Sequence, residues 1–167
     1  YRHVDNNNAY EYLLFHGNCL STSATCVRRS LLDKINGFNK DLVMGEEDYD
    51  CWMRLAKNGA KFYTIDEVLG VWTIRSDSVS SKLLAHNEAV IRLIDKHFSE
   101  YTDSTLNSKS LETKKNKIIS RILSGCGRNI SLNGDRNEGN LIYKRAVKAY
   151  PFNVRAYAGM ALNLMRR

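Results

Sequence analysis

Four carboxylates crowd into six residues, Gly45-Glu46-Glu47-Asp48-Tyr49-Asp50, at the mouth of a helical pattern, and this run restricts the chain more than any other segment. Acids are favoured in a helix's first turn, where unpaired backbone N–H groups and the helix dipole attract negative charge, by about 0.3 to 1 kcal/mol each. Tyr49, Trp52, Met53 and Ala56 follow at i, i+3, i+4 and i+7 and make one apolar face. Asp50 and Arg54 stand at i, i+4 on another face, Lys57 joins Arg54 in the last turn, and Asn58-Gly59 closes the helix. Capping accounts for one or two acids. Four repel one another, and crowding of like charge favours holding a proton, a disposition suited to a general base.

Around this helix the sequence predicts an α/β layer followed by an α-helical bundle. Ser21 to Val27 reads as a buried strand, Ser30 to Ile35 as a short helix stopped by Asn36-Gly37, and Phe38 as a plug directly after that turn. Lys61 to Ile65 and Val68 to Ile74 read as two further short strands separated by Asp66-Glu67. From Leu83 to Phe98 the pattern is helical again, with Leu83, Leu84, Val90, Ile91 and Ile94 apolar. Residues 1–98 are thus expected to form the first domain, the polar, serine- and threonine-rich stretch 99–112 a linker, and residues 113–167 a helical tail.

In the tail, three apolar stripes predict three helices, separated at Asn133-Gly134 and Tyr150-Pro151. Ile118, Ile119, Ile122, Leu123, Cys126 and Ile130 form the first stripe and Ile142, Ala146, Ala149 and Tyr150 the second. Val154, Tyr157, Ala158, Ala161 and Met165 form the third. Gly127, Gly139, Tyr143, Ala146 and Pro151 stand at spacings that resemble one tetratricopeptide-type repeat, in which small residues let two helices approach. One such repeat cannot bury its face alone.

Over residues 15–81 the chain resembles the family 2 glycosyltransferases of GT-A fold, on five pieces in order. These are Gly17-Asn18; Ser21-Thr22-Ser23-Ala24 entering Arg28-Arg29-Ser30-Leu31-Leu32; Ile35-Asn36-Gly37-Phe38-Asn39; the acidic helix Gly45 to Leu55; and Lys57-Asn58-Gly59. The resemblance implies an inverting transfer, with Asp48 as the aspartate base and Glu47 beside it on the acceptor side. It implies that the donor-binding half, with its nucleotide-sugar site, lies outside these residues, so that the chain alone is inactive. The divalent metal of such enzymes, Mn or Mg, is expected in the full-length enzyme with its main ligands outside this chain. Asp48-Tyr49-Asp50 spells the D-x-D of a metal site but begins a helix instead of ending a strand. On those helical positions Asp50 points about 200° away from Asp48, which suits pairing with Arg54 better than joint chelation. No metal ligand is therefore assigned. The family's Tyr-Arg-x-His-x-x-Ser pattern falls on Trp72 to Ser78 with Arg75 in place of the histidine. Arg75 could meet a phosphate or be an ordinary surface arginine. Trp72 could stack on a sugar or pack, and His16, beside Gly17-Asn18, could line the acceptor site.

The acceptor class implied is a glycan, a lipid-linked sugar or a protein. The net charge of +7 is unevenly distributed. Residues 1–81 carry 9 Lys+Arg against 11 Asp+Glu, a net of −2, and residues 82–167 carry 16 against 7, a net of +9. A basic tail can dock a protein partner or an anionic membrane surface, which gives the alternative reading of a non-catalytic interaction module, although basic residues on outer helix faces are the commoner cause. Without aromatics interleaved on one basic face, no nucleic-acid partner is expected. Cys19, Cys26, Cys51 and Cys126 form no C-x-x-C pair and read as free thiols of a reducing compartment. No apolar run approaches the roughly 18 residues of a membrane span. Because the chain opens at Tyr1 and its first methionine is Met44, it reads as a piece of a longer protein. The expected location is cytoplasmic or at the membrane periphery.

Overall fold

The computed structural model describes residues 3–71, 82–102 and 106–165. It divides into two compact units, Tyr1–Ser81 and Lys82–Arg167. The first holds α1 (Ala9–His16), a 3-10 turn (Thr22–Ala24), α2 (Arg29–Lys34) and α3 (Glu47–Lys57); the second holds α4 (Leu83–Ser99), α5 (Ser108–Leu132), α6 (Arg136–Ala149) and α7 (Val154–Met165).

The expected α/β layer is not formed: among the described residues every regular element is a helix and there is no strand. Ser21 to Val27 winds into the 3-10 turn instead, closed by the Ala24 N–H donating to Ser21 O at 3.0 Å. Among the described residues the stretch 61–71 has no ladder partner, and a strand cannot be stable without one because its N–H and C=O groups then have only water; residues 72–74 of the second expected strand lie outside the described residues. The Asn6 side chain substitutes at one position, accepting from the Phe62 N–H at 2.7 Å and donating to the Phe62 carbonyl at 2.8 Å. Apart from the partly covered Phe62, the large apolar side chains of this stretch face solvent, with Tyr63 84%, Val68 91% and Val71 95% exposed.

The core of the first unit is α3 packed on α1. Tyr49, Cys51, Trp52, Met53, Leu55 and Ala56 of α3 are buried, as are Ala9, Tyr10, Leu13 and Leu14 of α1. The Tyr49 hydroxyl donates to Leu13 O at 2.7 Å, which satisfies the phenol inside the apolar contact. Asn36 (φ 57°) and Gly37 (φ 66°) form a left-handed pair that ends α2. Phe38 meets Trp52 edge to face at 6.2 Å, yet stays 39% exposed, so it covers the indole from outside and does not plug the core.

In the second unit, Leu123, Cys126 and Ile130 of α5 meet Ile142, Tyr143 and Ala146 of α6 and Ala156 of α7. Helix α4 packs on α5, with Leu83, Leu84 and Ile91 against this core, so the 83–98 helix expected to end the first domain lies in the second unit. Close approach of α5, α6 and α7 depends on three glycines. A Cβ at Gly127 would lie 3.1 Å from Gly139 O and 3.2 Å from Tyr143 Cδ1, and a Cβ on Gly159 would overlap the Tyr143 ring.

Helix α7 presents the opposite face from the one expected. Ala156, Gly159 and Asn163 are turned inward, while Val154 (76% exposed), Tyr157 (48%) and Met165 (72%) face out. Two effects decide this. Only small residues can sit against Tyr143, and the Asn163 amide donates to Ser131 Oγ at 2.9 Å and Asn140 Oδ1 at 2.8 Å.

Candidate functional site

The acidic run is held apart by separate partners. Glu46, immediately before α3, is buried and its Oε2 accepts from the Met44 N–H at 2.9 Å. Asp50, fully buried, accepts from Arg54 Nε at 2.6 Å. Arg54 also donates to Ile35 O at 2.7 Å and Gly37 O at 2.8 Å, so one guanidinium ties α3 to the end of α2. This pairing takes Asp50 away from Asp48, as the helical spacing predicts.

Asp48 is half-buried in the first turn of α3 and is met by side chains from another segment. Thr22 Oγ1 donates to Asp48 Oδ2 at 2.9 Å, and Asn18 Nδ2 donates to Oδ1 at 3.3 Å. The donors are themselves fixed: Asn18 Oδ1 accepts from the Leu20 N–H at 3.0 Å, and Thr25 Oγ1 donates to Ser21 O at 2.7 Å across the 3-10 turn. A carboxylate offers about four acceptor sites. One bond on each oxygen leaves capacity for an incoming hydroxyl.

Glu47 Oε2 is buried and, among the described residues, has no hydrogen-bond partner. An unsatisfied buried polar atom costs about 1 to 3 kcal/mol, so its presence one residue before Asp48 calls for an explanation. Among the described residues Trp52 Nε1 is a second such atom, in a residue only 1% exposed that belongs to the core.

Of the sequence candidates, the structure brings together Asp48, its neighbour Glu47, and Asn18. Gly17 (φ 93°) caps α1, its N–H donating to Leu13 O at 2.9 Å, and so turns the chain toward Asn18. His16 is directed back on its own helix, Nδ1 donating to Tyr12 O at 3.1 Å with the two rings stacked at 4.7 Å. Trp72 and Arg75 lie outside the described residues. Sequence reasoning missed Thr22 as a site residue. The available signal was a serine- and threonine-rich turn four residues after Asn18.

No group of three or more His, Cys, Asp or Glu that could hold a metal ion occurs among the described residues. Asp48 and Asp50 do not form such a set, because Asp50 is engaged by Arg54. The four cysteines are thiols and not disulfides; Cys51 and Cys126 are buried, Cys19 is partly covered and Cys26 is exposed. Burial pushes the Cys51 thiol up, with Arg54 opposing and the carboxylates of Asp50 and Asp48 adding to the rise. Burial likewise raises Cys126. Neither thiol is suited to act as a nucleophile.

No family model, curated protein or solved structure matches this chain. Among the described residues no helix is long and apolar enough to cross a membrane.

Proposed function

We propose that this chain is the acceptor-side part of an inverting glycosyltransferase in which Asp48 is the general base. The observation that carries the reading is the state of its carboxylate: half-buried and held by two side-chain donors, Thr22 and Asn18, with acceptor capacity to spare. The motif order from Gly17 to Gly59 supplies the reaction class. The acceptor hydroxyl oxygen bonds to the anomeric carbon, and the bond from that carbon to the donor's phosphate oxygen breaks. The nucleoside diphosphate leaves with the electron pair, and the hydroxyl proton passes to Asp48. Glu47, one residue before Asp48, is assigned to the acceptor side by the motif order alone, its orphan Oε2 being buried away from any incoming hydroxyl. The residues described here do not fit a divalent metal, and no step is assigned to one. A nucleotide-sugar donor and a glycan, lipid-linked or protein acceptor are the partners of this reading. A cytoplasmic location, at or away from a membrane surface, accords with it. In the intact polypeptide, Asp48→Asn is expected to cut sugar transfer by about a hundred- to ten-thousand-fold with donor binding unchanged.

A second reading has its own observation. Val154, Leu164 and Met165 of α7 are 76%, 59% and 72% exposed, an unpartnered apolar face on a unit of net charge +9 (16 Lys+Arg, 7 Asp+Glu). Such a face suits docking of a protein or an anionic membrane surface, with or without catalysis by the first unit. Its test is a change on this face that spares the core, Val154→Glu.

A further inference from the structure

We propose that Thr22, together with Asn18, is a positioning residue that fixes the Asp48 carboxylate in the orientation in which it takes up a proton. The inference rests on the role proposed above for Asp48 and adds two residues that act through it. An aspartate at a helix start has two free torsions and, half-exposed, would sample several rotamers. Here each carboxylate oxygen has its own donor, so rotation about either torsion breaks at least one bond. Both donors lie in sequence well before the helix, 26 and 30 residues away, so the helix by itself cannot provide this restraint. The segment that carries them is built for it. Gly17 turns the chain out of α1, the Asn18–Leu20 contact fixes the amide, and the 3-10 turn from Thr22 aims the hydroxyl. The serine and threonine hydroxyls around it pair locally, Ser21 with Ser23 at 3.0 Å, which leaves Thr22 as the one aimed at α3. A catalytic carboxylate displaced by about 1 Å can lose on the order of a hundredfold in rate, so a hydroxyl of this kind matters without touching substrate.

The test compares Thr22→Val, which keeps shape and removes the hydroxyl, with Thr22→Ser, which keeps the hydroxyl. In this chain, three-bond couplings report the Asp48 χ1 angle. One rotamer is expected for the parent and Thr22→Ser, and averaging for Thr22→Val and Asn18→Ala. In the intact polypeptide, Thr22→Val is expected to lower kcat about 10- to 100-fold with KM for donor and acceptor within about twofold, and Thr22→Ser to restore it. A single Asp48 rotamer in Thr22→Val, or a loss confined to KM, overturns the positioning role. Normal turnover by Asp48→Asn is a different failure: it removes the base assignment, while the couplings still report whether Thr22 orients the carboxylate.

Discussion

Arg54 and Asp50 form a tight charged contact in the first unit, Nε to Oδ2 at 2.6 Å, with the Asp50 side chain 1% and the Arg54 side chain 24% exposed. The same cation holds the ends of α2 and α3 together through Ile35 O and Gly37 O. Breaking a buried pair by removing one partner typically costs about 3 to 5 kcal/mol because the remaining charge stays desolvated. Arg54→Met is accordingly expected to destabilise the first unit by that amount, measured by urea denaturation, while Asp33→Asn, which breaks the exposed Arg29–Asp33 pair, should cost under about 1 kcal/mol. Equal effects would show that Arg54 is not the clasp.

Gly159 offers a second test, in the other unit. Its missing side chain is where the Tyr143 ring lies, so Gly159→Ala must displace a rigid ring from the seam of α5, α6 and α7. A loss of about 1 to 3 kcal/mol is expected from overpacking, despite the better helix propensity of alanine. Gly125, a helical glycine whose added Cβ meets nothing within 4 Å, is the control, and Gly125→Ala should be neutral or stabilising.

The two helices most central to this account were not equally legible in the sequence. Helix α3 was, because acids at its start, bases at its end, the Asn58-Gly59 stop and a 3.6-residue apolar face all agree. The spacing of Asp50 and Arg54 also gave their pairing. Helix α7 was misread because hydrophobicity and burial diverge there: the residues that can approach Tyr143 are the small ones, Ala156 and Gly159. The strands expected at 61–65 and from Val68 failed for a different reason. Alternating apolar side chains describe a surface that fits a sheet, but pairing is a property of a neighbour, and in the described residues none is there. Asp48 was singled out by the family resemblance laid over the acidic run, whereas Thr22 could be found only once the 3-10 turn brought it across 26 residues.

The outward face of α7 yields a contrast in the same helix. Val154→Glu lies on the 76% exposed side and should change stability by no more than about 0.5 kcal/mol, while abolishing any docking by that face. Ala156→Glu puts a charge at a position with no exposure and should unfold the α5–α7 packing, read by loss of helical circular dichroism.

Alkaline pH should weaken the fold. Burial raises the folded-state values of Cys51 and Cys126 above the ordinary 9.0, and of Tyr143 above 10.0, where Arg128 and a hydrogen bond from Ser131 oppose the rise. Each group keeps its proton longer when folded, so the unfolded chain binds fewer protons and stability falls as pH rises. The contribution is intact below about pH 9 for the thiols and about pH 10 for the phenol, and is lost above. Denaturation midpoints should fall from pH 8 to 11, and less steeply in Cys51→Ala and Cys126→Ala. A midpoint rising with pH would contradict the burial of these groups.

The central claim concerns one carboxylate at the start of α3, and it is tested most directly by transfer rates of the intact polypeptide with Asp48 replaced by asparagine. The side chain keeps its size and can still meet Thr22 and Asn18, but it cannot accept a proton. A rate reduced by about a hundredfold or more, with donor affinity and unfolding midpoint unchanged, is the predicted result. Transfer at the parent rate would contradict the account.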